Sequence, residues 1–220
     1  MTDKERFTWM KENLYTAVVC DILDTLGYRS QAMHHRLRPL DGDNCTFVGR
    51  ARTVRWMEVD HVDSGNPYGR EITFMDTLRE DDVVIHSTDY AGSNAPWGEL
   101  MSTAATMRGA VGCVCDSQIR DCVRIKKLGF PVFYAGIRPL DSSGRGMVVD
   151  YDVPVRCGDV LVRPGELVFA DFDGVVVVPR EAEEEVLRLA QRKACAENNT
   201  RHELLEGKTL QEVYDKYGAL

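Results

Sequence analysis

AVGCVCDSQIRDCVRIKKLGFPVFYAG, residues 110–136, decides the fold. AVGCVCD (110–116) is a short apolar run of buried-strand type. IRDCVRIKKLG (119–129) has helical spacing and a glycine stop, and FPVFYAG (130–136) is a second strand. One step upstream, DDVVIHSTD (81–89) and GELMSTAATMRG (98–109) repeat the alternation of strand and helix. The resulting β-α-β-α-β order predicts a parallel sheet with right-handed crossovers.

Outward from this centre the reading extends to both ends. TWMKENLYTAVVCDILDTLG (8–27) reads as one helix closed by Gly27, and FVGRARTVRWMEV (47–59) as a strand with Gly49 as a bend. Residues 58–80 carry a weak pattern, with a loop at DSGNPYG and a short helix near Ile72 to Leu78. VPVRCGDVLVRPGELVFADFDGVVVVP (153–179) breaks β-branched runs with Gly158-Asp159, Pro164-Gly165 and Asp173-Gly174, as antiparallel hairpins do. The last forty residues are helical, and Thr209-x-x-Glu212 forms a capping box for the final helix.

A length of 220 residues fits one domain with a helical extension: residues 1–180 as the core and 181–220 as C-terminal helices packing on a neighbouring subunit. The net charge of −8 argues against a general nucleic-acid surface. Charges occupy the N-terminus where a signal peptide needs an apolar core, and no run reaches membrane-spanning length. The seven cysteines are scattered, without CxxC pairs or histidines at zinc spacing. Reduced thiols and a cytoplasmic location are the expectation. Cys113 and Cys115 share one face of a buried strand as small hydrophobes, and nothing supplies a general base to Cys122. His34-His35, His61 and His86 also lack ligand spacing.

Glu99 opens the helix after one parallel strand, and Arg120 and Asp121 open the helix after the next. Loops after adjacent strand C-termini share one sheet edge, where ligands bind in open α/β sheets. The three side chains should therefore converge. The free amides of Leu100 and Met101 at the helix start could hold a carboxylate there. Two acids and an arginine beside such amides suit a divalent cation with an anionic oxygen ligand. Acids that complement a helix dipole, plus a surface ion pair, account for the same pattern, and spacing alone favours that plainer account. Ser93 and Asn94 precede the helix as turn formers or as ligand contacts. On the last long helix, Val186, Ala190, Ala194, Glu197, Arg201 and Leu204 form one stripe. Glu197 pairs with Arg201, or it completes a neighbour's site.

WGELMSTAATMRGAVGCVCDSQIRD, GFPVFYAGIRPLDSSGR, PVRCGDVLVRPGELVFADFDGVVVVP and AENNTRHELLEGKTLQEVYDKYG together resemble the RraA-like family. That family includes the regulator of ribonuclease activity A and the class II 4-hydroxy-4-methyl-2-oxoglutarate (or 4-carboxy-4-hydroxy-2-oxoadipate) aldolases. TAVVCDILDTLG and FVGRARTV extend the resemblance, which weakens over residues 58–80. It implies an α/β fold of the swivelling β/β/α sandwich type, assembled as homotrimers or homohexamers. Glu99, Arg120 and Asp121 match the aldolase branch's acid–x20–Arg–Asp signature. Resemblance implies that Asp121 binds Mg²⁺ or Mn²⁺, Glu99 acts on the ion through water, and Arg120 contacts a 2-keto acid. Glu197 would reach the ion through water from the adjacent subunit. The implied enzyme is a metal-dependent lyase that cleaves a 4-hydroxy-2-oxo acid to pyruvate, with oxaloacetate decarboxylase side activity. The alternative is a non-catalytic regulator that binds a ribonuclease. Ser117 stands where glycine or alanine is common in the family, and MEVDHVDSGNPYGREITF (57–74) does not match the aldolases.

Overall fold

A computed structural model describes residues 2–218. Its main sheet contains β1 (Arg38–Pro39), β2 (Phe47–Glu58), β3 (Asp82–Ser87), β4 (Gly112–Ile119), β5 (Val132–Ile137), β6 (Gly146–Tyr151), β9 (Leu167–Asp171) and β10 (Gly174–Val178). A separate ribbon pairs β7 (Val155–Cys157) with β8 (Val160–Val162). The helices are α1 (Asp3–Asn13), α2 (Thr16–Thr25), α3 (Glu71–Asp76), α4 (Glu99–Met107), α5 (Cys122–Leu128), α6 (Glu183–Leu205) and α7 (Leu210–Tyr217).

Strand order in the main sheet is β1-β5-β4-β3-β2-β9-β10, with β2 to β5 mutually parallel. The twelve-residue β2 has two partners on its other side: β9 along Phe47–Arg50 and β6 along Val54–Glu58. Two layers cover the sheet. Val83, Ile85 and Val114 face the β7–β8 ribbon and its apolar residues Val155, Cys157 and Val162. Val84, Cys113 and Cys115 face the opposite way, onto Trp97, Ala105 and Ile125 beneath α4 and α5. β3 is buried on both faces, which explains why its sequence is a continuous apolar run rather than an alternating one. The fold is thus the mixed α/β, β/β/α arrangement expected, with helices at the C-terminus.

Four local expectations change. Residues 8–27 form two helices, because Leu14 and Tyr15 are extended and the Asp171 carboxylate takes both the Thr16 amide and hydroxyl at 2.7 Å. That carboxylate does for α2 what an N-cap side chain does elsewhere. β4 runs on to Ile119, so Arg120 and Asp121 precede α5 rather than lying within it. β6 was not foreseen. Gly49 is no bend: a Cβ there would lie 2.2 Å from the Asp81 carbonyl oxygen, so glycine permits close approach of β2 to the start of β3.

The stripe on α6 is divided. Val186, Ala190 and Ala194 are buried against this chain's own Phe7, Val18 and Ile22. Glu197 lies beyond them, with Lys193 at 3.8 Å. Arg201 does not pair with it, because its guanidinium binds Asn198 at 2.6 Å. No helix among the described residues is long and apolar enough to cross a membrane.

Candidate active site

The loops after β3 and β4 are joined at the sheet edge. Trp97 and Ile119 form a parallel bridge, and the Arg120 amide donates to the Trp97 carbonyl at 2.9 Å. The Trp97 indole N–H donates to Ser102, whose hydroxyl donates to the Gly98 carbonyl, fixing the turn into α4. This backbone arrangement brings Glu99, Arg120 and Asp121 together.

Asp121 occupies the left-handed region at φ 60°, ψ 28° at the N-cap position of α5, without a side-chain bond to that helix. Aspartate tolerates that region better than most residues, and the conformation sends its carboxylate across to α4. Its Oδ2 accepts the Glu99 amide at 3.3 Å and lies 3.8 Å from Arg120 Nε. Gly98 is required by this contact, since a Cβ there would sit 2.9 Å from the same Oδ2 and 3.1 Å from Arg120 Cγ. Glu99 Oε1 accepts the Thr103 hydroxyl at 3.0 Å.

Arg120 Nη2 meets Asp141 Oδ1 at 3.1 Å, and Tyr68 donates to Asp141 Oδ2 at 3.2 Å. Burial and the adjacent carboxylate raise the Tyr68 pKa, keeping the phenol a donor. These groups enclose a cleft of about 200 Å³ lined also by Glu71, Ile72, Leu100, Met101 and Ser142. Glu71 is 6% exposed, and its Oε1, 3.9 Å from His86 Nε2, has no hydrogen-bond partner among the described residues.

Five of the eight expected residues line or adjoin the cleft, and three do not. Arg120, Asp121, Leu100 and Met101 line the cleft, Glu99 adjoins it through its amide, and Glu197 lies on α6 outside the lining. Ser93 and Asn94 also fall outside it. Asn94 is buried and donates to Ser93 at 2.8 Å, while the next two residues, Ala95 and Pro96, reach the cleft. Tyr68, Glu71 and Asp141 were missed. Asp141 had a findable signal, because it follows β5, the last of the four parallel strands, and so belongs to the same sheet edge.

The donor set fits a hard divalent cation. Asp121 supplies an exposed carboxylate, Glu99 a second acid nearby, and Mg²⁺ commonly takes only one or two carboxylates and keeps several waters. Among the described residues of the single chain, no cluster of three or more His, Cys, Asp or Glu forms a closed cage.

The known proteins to which the chain is similar agree with this architecture. A 178-residue match at 32% identity covers 81% of the chain and 79% of a Halalkalibacterium halodurans protein named "Putative 4-hydroxy-4-methyl-2-oxoglutarate aldolase". Protein DlpA of Legionella pneumophila is 23% identical over 93% of the chain, which spans 32% of DlpA's own length. Streptomyces coelicolor RraAS2, described as an unusual member of the RNase ES inhibitor RraA protein family, superposes with a TM-score of 0.81 at 27% identity, covering 92% of this chain and 100% of that one. The family model described as Aldolase/RraA matches residues 16–177, a span holding the whole parallel sheet and every cleft residue. By that match, the chain belongs to the RraA-like family.

Proposed function

We propose that the protein is a divalent-metal-dependent carbon–carbon lyase that cleaves a 4-hydroxy-2-oxo acid to pyruvate and a second oxo compound. The observation that carries this reading is the meeting of Asp121 Oδ2, the Glu99 amide and the Arg120 guanidinium at one lip of the cleft. Asp121 would hold Mg²⁺ or Mn²⁺, with Glu99, and with Glu197 of an adjacent copy, acting through water. The ion supplies Lewis-acid stabilisation of negative charge on the 2-keto oxygen.

The chain's own groups supply the rest. The first-turn amides of Leu100 and Met101 have no intrahelical acceptor and suit the substrate 1-carboxylate. Arg120 Nη1 has no protein partner among the described residues and is available to the 2-keto oxygen. Glu99 Oε2, opposite the oxygen engaged by Thr103, takes the C4-hydroxyl proton through water. As C4 becomes a carbonyl, the C3–C4 bond breaks and its electron pair passes into a pyruvate enolate. The enolate is held by Arg120 and is then protonated at C3 by the proton that Glu99 took, relayed through the same water. Oxaloacetate decarboxylation leaves the same enolate and is the expected side activity.

Exposed Leu100, Val123 and Ile137 flank the site, which supports its being covered by a second copy carrying Glu197. The test is pyruvate release from 4-hydroxy-2-oxo acids and oxaloacetate with Mg²⁺ or Mn²⁺. Equal activity in chelator-treated protein overturns the scheme. Recovery of a ribonuclease by pull-down, with no keto acid turned over, would instead establish the regulator reading that the likeness to RraAS2 keeps in view.

A further inference from the structure

The charges around the cleft bear on the half of the substrate beyond the cleaved bond. Three carboxylates, Glu71, Asp121 and Asp141, line it against one guanidinium, Arg120. Asp121 and Arg120 are the groups assigned above to the oxo-acid head. Asp141, Glu71 and the Tyr68 hydroxyl complete the polar lining, none of them a cation, and Asp141 already holds Arg120 Nη2 at 3.1 Å.

Among the described residues no arginine besides Arg120 lines the cleft, although Arg124 and Arg138 line an adjoining hollow that shares Arg120 and Asp121. Arg70 pairs with Asp150 at 2.9 Å, Arg145 donates to the Asp141 backbone carbonyl at 3.1 Å, and Arg138 donates to the Gly92 carbonyl at 2.6 Å. A divalent ion would bring the three acids and the arginine to neutrality, and the substrate's 1-carboxylate would then make the site negative. A second carboxylate on the substrate would meet Asp141 and Glu71 with no counter-charge, an arrangement that opposes binding. Hydroxyl groups, by contrast, can donate to those same carboxylates and accept from Tyr68.

We propose that this protein takes monocarboxylic 4-hydroxy-2-oxo acids with a neutral, hydroxyl-bearing tail, and that Asp141, seated between Arg120 and Tyr68, rejects substrates with a carboxylate beyond C4. The proposal rests on the aldolase reading and concerns the substrate class within it. It divides this cleft from one built for 4-hydroxy-4-methyl-2-oxoglutarate, whose distal carboxylate would here meet Asp141 and Glu71.

Two measurements on the metal-loaded full-length protein test it. In turnover, 2-keto-3-deoxygluconate should be cleaved with kcat/KM at least about tenfold above that for 4-hydroxy-4-methyl-2-oxoglutarate. Asp141→Asn should reduce this preference ratio about tenfold, and Asp141→Lys should invert it. In calorimetric titration, uncleavable 2-oxopentanoate should bind more tightly than 2-oxoglutarate, with the order reversed in Asp141→Lys. Preference for the dicarboxylates, or ratios unmoved by both variants, overturns the proposal while leaving the aldolase reading intact. Absence of turnover alongside the expected binding order overturns the aldolase reading but supports Asp141 as the selective group.

Discussion

The Asp121 carboxylate accepts the backbone N–H of Glu99 at 3.3 Å, so the residue at the N-cap position of α5, whose side chain makes no bond to α5 itself, caps the first turn of α4. One side chain therefore has a structural and a chemical assignment, and substitution can separate them. Asp121→Ala should lose turnover and lower stability by about 1 kcal/mol, the usual cost of a missing cap. Asp121→Asn should keep most of that stability, because its amide oxygen still accepts, yet lose metal affinity. Urea midpoints and metal titration by calorimetry check the pair.

Arg120 touches both Asp121 and Asp141 without being buried, which makes it replaceable in folding terms. Arg120→Ala should reduce kcat by about 10²–10³-fold, the scale of a lost oxyanion donor, while metal still binds. Unchanged kcat would remove Arg120 from the chemistry.

Glu197 lies on α6 outside its own chain's cleft, and burial raises its pKa. If it serves the adjacent copy, mixing Glu197→Ala with Arg120→Ala protein and allowing subunits to exchange should restore activity that neither variant has alone. Some sites then receive both native residues. Failure to complement, with mixed oligomers demonstrated by mass spectrometry, would confine Glu197 to a structural role.

The N-terminal end of α6 provides a pH prediction. Burial alone would raise the Glu183 pKa, but hydrogen bonds and charge from Arg50 and Arg6 outweigh it and hold the carboxyl below its ordinary value of 4.5. Its stabilisation is therefore full above that value and is lost as pH falls through the lower folded-state pKa. Urea midpoints should decline between neutrality and acid pH, and the decline should be shallower in Glu183→Gln. Glu183→Ala, which strands Arg50 and Arg6, should cost about 3 kcal/mol at neutral pH.

Thiol reactivity should follow burial. Cys113, Cys115 and Cys157 are fully enclosed and burial pushes their pKa values up, whereas Cys195 is exposed. Alkylation of the native protein followed by peptide mass spectrometry should find Cys195 modified and those three protected. Early modification of Cys113 would contradict its packing beneath α4 and α5.

The parallel centre was legible because strands buried on both faces leave continuous apolar runs and short helices end at glycine. Placing Glu99, Arg120 and Asp121 at one edge followed from topology alone. The break at Leu14–Tyr15 was not legible, because its cause is Asp171, distant in sequence. Tyr68 and Glu71 were hidden for a similar reason: the loop ahead of α3 has no periodicity, and only tertiary packing brings it to the cleft. Ser93 and Asn94 show the reverse error, since proximity in sequence to the helix start did not place them in the lining.

Gly98 has a consequence for how such a site can change. The spacing between Asp121, Arg120 and the start of α4 is set by backbone and by the absence of a side chain at Gly98, so substitutions there or at its neighbours disturb everything at once. Positions 68 and 71 arrive on the segment that opens α3, and 141 on the loop after β5, so none shares that backbone constraint. New substrates are thus reachable by single replacements at positions 68 and 71, which bond neither Arg120 nor Asp121, whereas position 141 also holds Arg120.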